Sequence, residues 1–153
     1  MNIRRRISTT PVRSLLVILC TCTGFLLAGF RGYQQHTFEV EIQNIKKNGG
    51  DIIVEVFTDE ANWLKNAYAA KTIPSDREVK TVSFDLPYGK YAVSIFQDTK
   101  ENGELDRTFI GIPKEPIAFG NNYKPFGSPK FKSALIDFNS EYQPQALKLF
   151  KVF

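Results

Sequence analysis

The sequence predicts an all-β protein, a single antiparallel β-sandwich behind an N-terminal export segment, and three observations carry that expectation. From Thr37 onward apolar and polar residues alternate with period two rather than 3.6. Turn residues recur at a spacing of roughly 8–12 residues, as they do in sandwich folds. The chain has 153 residues, 42% hydrophobic and 13% aromatic, which suits one domain and excludes disorder, collagen and coiled coil.

Charge divides the chain into residues 1–32 and 33–153. The first segment holds Arg4, Arg5, Arg6, Arg13 and Arg31 and no acid. Removing those five from the 20 basic residues leaves 15 against 16 acidic ones, so the formal net charge of +4 resides in the leader. A nucleic-acid binder keeps its basic excess on the folded part, so no nucleic-acid partner is expected. Three arginines followed by the uncharged apolar run from Ser14 to Ala28 form the pattern of a secretion signal. Ala28, Gly29 and Gly32 are small enough for cleavage, but Leu26, Leu27 and Phe30 sit where a second small residue is preferred. An uncleaved anchor across residues 14–30 therefore stands beside cleavage as an alternative. Either way residues 33–153 are expected to be exported (periplasmic, outer-surface or secreted), touching the membrane only through the N-terminal segment. Cys20 and Cys22 both lie in the apolar run, so a domain freed of its leader has no disulfide and rests on its core. A length of ~120 residues suffices for that.

Each element then follows in order. Phe38, Val40 and Ile42 alternate with Glu39, Glu41 and Gln43 as a half-buried strand. Lys46 to Gly50 contains Asn48-Gly49, a hairpin signal, and Ile52 to Phe57 is a second, β-branched strand. Asp59 to Ala70 breaks the alternation and fits a short helix or a packed crossover, with Trp63 as a lid over the core. Val79 to Leu86 returns to alternation, Pro87-Tyr88-Gly89 turns, and Tyr91 to Phe96 is the next strand. Residues 107–132, rich in Gly, Pro and Asn, read as a long loop framed by Phe109, Ile110, Ile112 and Phe119. Ala134 to Phe138 and Ala146 to Val152 close the chain, the last as an edge strand.

Little of the usual catalytic chemistry is present. A Ser-His-Asp or Cys-His enzyme needs a placed imidazole, and a zinc site needs several Cys or His ligands. The chain has one His, His36, in a stretch beside the leader where it reads as a bystander, and no catalytic residue is assigned. The segment from Asp98 to Asp106 is the exception. Asp98, Asn102 and Asp106 stand at positions 1, 5 and 9 of a calcium-type loop. Gly103 stands at the sharp-turn position 6, and the Glu104 carbonyl at position 7. Glu115, between Pro113 and Pro116, is placed to complete a Ca²⁺ shell with Asp98 and Asp106. Position 3 is Lys100 and position 12 is Phe109, neither an oxygen donor. An ammonium from Lys100 standing where the ion would be, or Asx-type turns alone, give the same spacing without metal.

The run from Leu86 to Asp98, the loop Asn102-Gly103-Glu104-Leu105-Asp106, and Gly111-Ile112-Pro113-Lys114-Glu115 with Phe119-Gly120-Asn121-Asn122 resemble a bacterial family, domain of unknown function 2141. Phe126-Gly127-Ser128-Pro129-Lys130-Phe131 and Ala134 fit the same pattern. The resemblance implies a secreted or periplasmic β-sandwich and names no reaction. The family loop has the form His-Asp-x-Asn-x-Asn-Gly-x-Leu-Asp, and this chain carries Gln97 in place of the His and Lys100 in place of the first Asn. The Leu-Pro-x-Gly-x-Tyr turn is similar to that of prealbumin-like and collagen-adhesin B-type modules, so an immunoglobulin-like or prealbumin-like sandwich is implied.

The function expected is an exported, non-enzymatic module that binds a protein or glycan partner, or the envelope itself. Its binding surface would be the loop from Arg107 to Lys132, with Phe119, Tyr123, Phe126 and Trp63 as contacts where exposed. The alternative is a carboxylate-based hydrolase acting on extracellular glycans through Asp98, Asp106 and Glu115.

Overall fold

The computed structural model describes residues 34–152; the leader, with its export and anchor expectations and both cysteines, lies outside them. Among the described residues no helix is long and apolar enough to cross a membrane. The alternating segments form strands β1 (His36–Gln43), β2 (Asp51–Phe57), β3 (Ala69–Ile73), β4 (Lys80–Leu86), β5 (Gly89–Asp98), β6 (Ile117–Phe119), β7 (Leu135–Phe138) and β8 (Gln145–Lys148). They make two open sheets. One has the order β4-β1-β8; the other runs β3-β2-β5, with β6 and β7 sharing the free side of β5.

Four expectations are corrected. The sheets are not wholly antiparallel, because β8 runs parallel to β1, with Val40 opposite Gln145 and Gln43 opposite Lys148. The chain crosses from one sheet to the other between β7 and β8, and arrives beside β1 in the same direction. The Asn48-Gly49 turn does not join a hairpin: β1 pairs with β4 and β8, and β2 with β3 and β5. Of the two forms open to Asp59 to Ala70, the helix is ruled out and the segment is a packed connection. Asp59 caps a turn by accepting from the Asn62 N–H at 2.9 Å, and Ala69 already opens β3, a strand without apolar alternation. His36 is not in an irregular stretch but begins β1, its ring stacked on Tyr88 at 3.8 Å between centroids.

The 44–50 connection crosses between sheets because three left-handed residues, Asn44, Asn48 and Gly50, bend it over the end of the core. The side chain of Gln97, wholly buried, holds it there. The Lys46 N–H donates to Gln97 Oε1 at 3.0 Å, and Gln97 Nε2 donates to the carbonyls of Lys46 at 2.7 Å and Gly50 at 3.3 Å. The Pro87-Tyr88 turn crosses in the same way from β4 to β5, secured by the Tyr91 hydroxyl donating to the Pro87 carbonyl at 2.7 Å.

Period-two alternation buries one face of each sheet in a common core. Phe38, Val40 and Ile42 of β1 with Val82, Phe84 and Leu86 of β4 meet Ile52, Val54 and Val56 of β2 and Tyr91, Val93 and Ile95 of β5. Each such side chain contributes roughly 1.5–3 kcal/mol on burial. The other face of the larger sheet carries a second cluster, in which Phe57, Ala92 and Phe96 are covered by Trp63, Phe119 and Phe131. Trp63 is thus the lid the sequence suggests, over this second cluster.

Gly50 offers a test of the crossing turn. Its φ is +92°, and a Cβ there would lie 1.8 Å from the Asp98 carbonyl oxygen. Gly50→Ala should destabilise the protein by about 2–4 kcal/mol in urea titrations. Gly127→Ala, with φ +90° and open space around it, should cost only about 1–2 kcal/mol.

Candidate functional site

After β5 the chain folds back through residues 99–116 to enter β6. Asp98, buried at the end of β5, organises the first part of that loop. Its Oδ1 accepts from the Lys100 N–H at 3.2 Å and its Oδ2 from the Gly103 N–H at 2.6 Å. Gly103 has φ +79°, the sharp turn its position requires. Burial by itself would raise the Asp98 pKa. Backbone N–H bonds from Gly103, Asn102, Lys100 and Glu101 outweigh that and hold the carboxyl below the ordinary carboxylate range. Glu115, only 1% exposed, closes the loop from the opposite end. Its Oε1 accepts from the Thr99 N–H at 2.6 Å and the Thr99 hydroxyl at 3.0 Å, and its Oε2 from the Asp106 N–H at 3.1 Å.

Asp106 Oδ2 is shielded from solvent and faces Lys100 Nζ at 2.8 Å, an ion pair rather than an aligned hydrogen bond. The adjoining Asp106 carboxylate holds the Lys100 ammonium above the ordinary lysine value. Of the five oxygen donors singled out by spacing, Asp98, Asp106 and Glu115 gather at the base of one loop through these backbone partners. Asn102 and Glu104 stay exposed at its tip, where Asn102 Oδ1 accepts from the Glu104 N–H at 3.0 Å. Among the described residues no group of three or more His, Cys, Asp or Glu side chains is arranged to hold one ion.

The second feature is a groove of about 570 Å³ over the outer face of β5 and β6. Ser94, Ile117 and Phe119 form its floor. One wall is a short hairpin, residues 106–114, built by Lys114 N–H donating to the Asp106 carbonyl at 2.9 Å and Thr108 N–H to the Ile112 carbonyl at 2.7 Å. The other wall is the 125–129 loop, tied down by Trp63 Nε1 donating to the Pro129 carbonyl at 3.0 Å. The four aromatic contacts expected on this surface therefore separate, Trp63 being buried beneath the wall it anchors. Phe119 is 3% exposed and belongs to the floor, Tyr123 is half-buried against it, and Phe126 stands free at 107% exposure.

Phe109 and Ile110 do not frame the loop from inside but project from the hairpin tip, at 101% and 64% exposure. Sequence reasoning missed them as surface residues. The available signal is that each free apolar tip precedes a glycine of positive φ, Gly111 at +83° and Gly127 at +90°, in a stretch without alternation.

A family model described as an uncharacterized protein conserved in bacteria (DUF2141) matches residues 40–145. The chain belongs to this family. No curated protein and no solved structure matches it. In this DUF2141 member the Gly120-Asn121-Asn122 segment has a structural explanation. Asn121 Nδ2 donates to the Leu135 carbonyl at 2.6 Å, and Asn122 bonds the Ala146 carbonyl and the Lys148 N–H, both at 2.8 Å. Two asparagines in left-handed backbone thereby join β6 to a strand of each sheet.

Two measurements test the closed loop. Glu115→Ala leaves buried N–H groups of Thr99 and Asp106 without an acceptor and should lower stability by about 2–4 kcal/mol in urea, while Asn102→Ala at the exposed tip should stay within ~0.5 kcal/mol. Because the folded Asp98 pKa is depressed, its contribution is complete above the unfolded value of about 4 and is lost as pH falls through the lower folded value. Thermal melts of the wild type should drop across that acid window, and Asp98→Asn should flatten the drop.

Proposed function

We propose that this protein is an exported β-sandwich module, immunoglobulin-like or prealbumin-like, that acts by binding at the cell envelope and not by catalysis. The groove between residues 105–113 and 125–129 is its binding surface. The observation that carries this reading is a concave, mainly apolar site of ligand-pocket size with free apolar side chains at both rims. Export is supported by the charge and hydropathy of residues 1–32, and the sandwich by two sheets sharing one core.

The calcium-type loop is best understood with its cation supplied by the chain. Lys100 holds its ammonium on Asp106, while Asp98 and Glu115 are engaged by backbone N–H groups, so the loop is closed without Ca²⁺. The same engagement weighs against a carboxylate hydrolase, which needs one free carboxylate and one free carboxylic acid. Glu55, whose pKa burial raises, lies on β2 opposite Ser94, apart from the three carboxylates of that alternative.

The single Trp63, bonded to the groove wall, reports occupancy. Titration of the full chain with envelope glycan fragments or solubilised envelope proteins should give a saturable change in its emission, weakened about tenfold or more by Phe126→Ser. A flat titration with both classes and with lipid vesicles, or hydrolysis of the glycans, would overturn the reading. In parallel, wild-type melts should be the same in millimolar Ca²⁺ and in chelator, whereas Lys100→Asn should gain a calcium-dependent rise, about 2.7 kcal/mol at 100 times the dissociation constant. A rise in the wild type would restore the ion site.

A further inference from the structure

We infer that the groove face docks on the surface of a bilayer rich in anionic phospholipid, with Phe109, Ile110 and Phe126 entering the boundary of the acyl chains. The inference rests on the groove being the binding surface and names its partner. Two anchored loops present these side chains side by side: Ile110 and Phe126 line opposite walls of one groove, and Phe109 shares the hairpin tip with Ile110. Both phenylalanines are as exposed as in an extended chain, at 101% and 107%. The hairpin is stiff, with the Gly111 N–H donating to the Thr108 carbonyl at 2.9 Å behind the tip.

Charge complementarity selects the occupant. Arg107 lines the groove, and Lys65, Lys114, Lys124, Lys130 and Lys151 each adjoin a lining residue in the chain. Among the described residues none of the six is ion-paired with an acid. The acids in the same neighbourhood are Glu104, Asp106 and Glu115, with Glu55 half-buried opposite Ser94 of the floor. Asp106 is engaged by Lys100, and Glu115 is buried on backbone N–H groups. Residues 33–153 as a whole carry 15 basic residues, 20 less the leader's five, against 16 acidic ones, so this concentration of cations is local. Apolar tips on a groove lined by Arg107 and flanked in the chain by lysines suit a surface that offers phosphate at the rim and hydrocarbon beneath it. A small soluble anion would engage Arg107 and leave Phe109 in water.

The test uses the full chain carrying Phe126→Trp, with the unsubstituted chain titrated alongside so that the response of Trp63 is subtracted. Vesicles are phosphatidylcholine alone, or equimolar phosphatidylcholine and phosphatidylglycerol, with and without brominated acyl chains. A leader that anchors the chain would bring it to both vesicle types alike, so the readout is insertion at position 126. The expected result is a blue-shifted emission, quenched by brominated lipid, on the phosphatidylglycerol vesicles only. Combined reversal of Lys114, Lys124 and Lys130 to Glu should weaken it roughly a hundredfold. Emission that stays unshifted and unquenched on those vesicles, or that shifts equally on both and ignores the charge reversal, overturns the inference. If insertion fails while Trp63 still responds saturably to envelope glycans or proteins, the bilayer inference falls and the binding reading stands. If neither responds, both fall.

Discussion

Strand β5 is buried at every position from Tyr91 to Asp98, and the rest of the structure follows from having to cover both of its faces. A half-buried strand needs one partner layer; β5 needs two. Tyr91, Val93 and Ile95 point into the core shared by the sheets, while Ala92, Ser94 and Phe96 point the other way. Among the described residues no third sheet meets that second face. The 59–68 turns and the segments on either side of β6 lie over it instead, and Trp63 and Phe131 supply the apolar cover beside Phe119 of β6. Loops with this task cannot be loose, and their own polar backbone must be satisfied as they pass over apolar surface.

That requirement explains the buried polar groups. Gln97, Asp98 and Glu115 are each almost fully buried, and each accepts from backbone N–H groups of a connecting segment. Gln97 fixes the crossing between β1 and β2, and Asp98 and Glu115 close the loop that leads to β6. A pattern that resembles a calcium loop thus serves to end β5 in a turn whose donors are satisfied by side-chain oxygen. Lys100 brings a positive charge to Asp106.

Packing the loops by a few anchors leaves their tips free. Pro129 is held by Trp63 and the 106–114 hairpin by its own ladder, so Phe109, Ile110 and Phe126 stand outside the second cluster. Among the exposed large apolar side chains of the described residues, Ile110 and Phe126 line opposite walls of one groove and Phe109 adjoins Ile110 at the hairpin tip. Such a patch signals an interaction surface more strongly than scattered exposed residues do. Its lysines and arginine set the kind of surface it suits.

The positions of the alternating strands, most turn positions and the division of charge between leader and domain were determined by sequence alone, because period-two alternation and the backbone freedom of Gly and Asn are local properties. Val40 had to face inward and Gly103 had to turn, whatever lay around them. Tertiary structure decided which sheet each strand joined, since β1 and β2 meet the same alternation in different layers and β8 settles parallel to β1 through contacts distant in sequence. β3 and β6 were hidden for the same reason: Ala69–Ile73 has no apolar alternation and Ile117–Phe119 no polar one. Tertiary structure also separated Phe119 from Phe126. Both are phenylalanines near a glycine in one irregular stretch, and only the pairing of Phe119 with Ser94 across β5 buries the first and leaves the second in solvent.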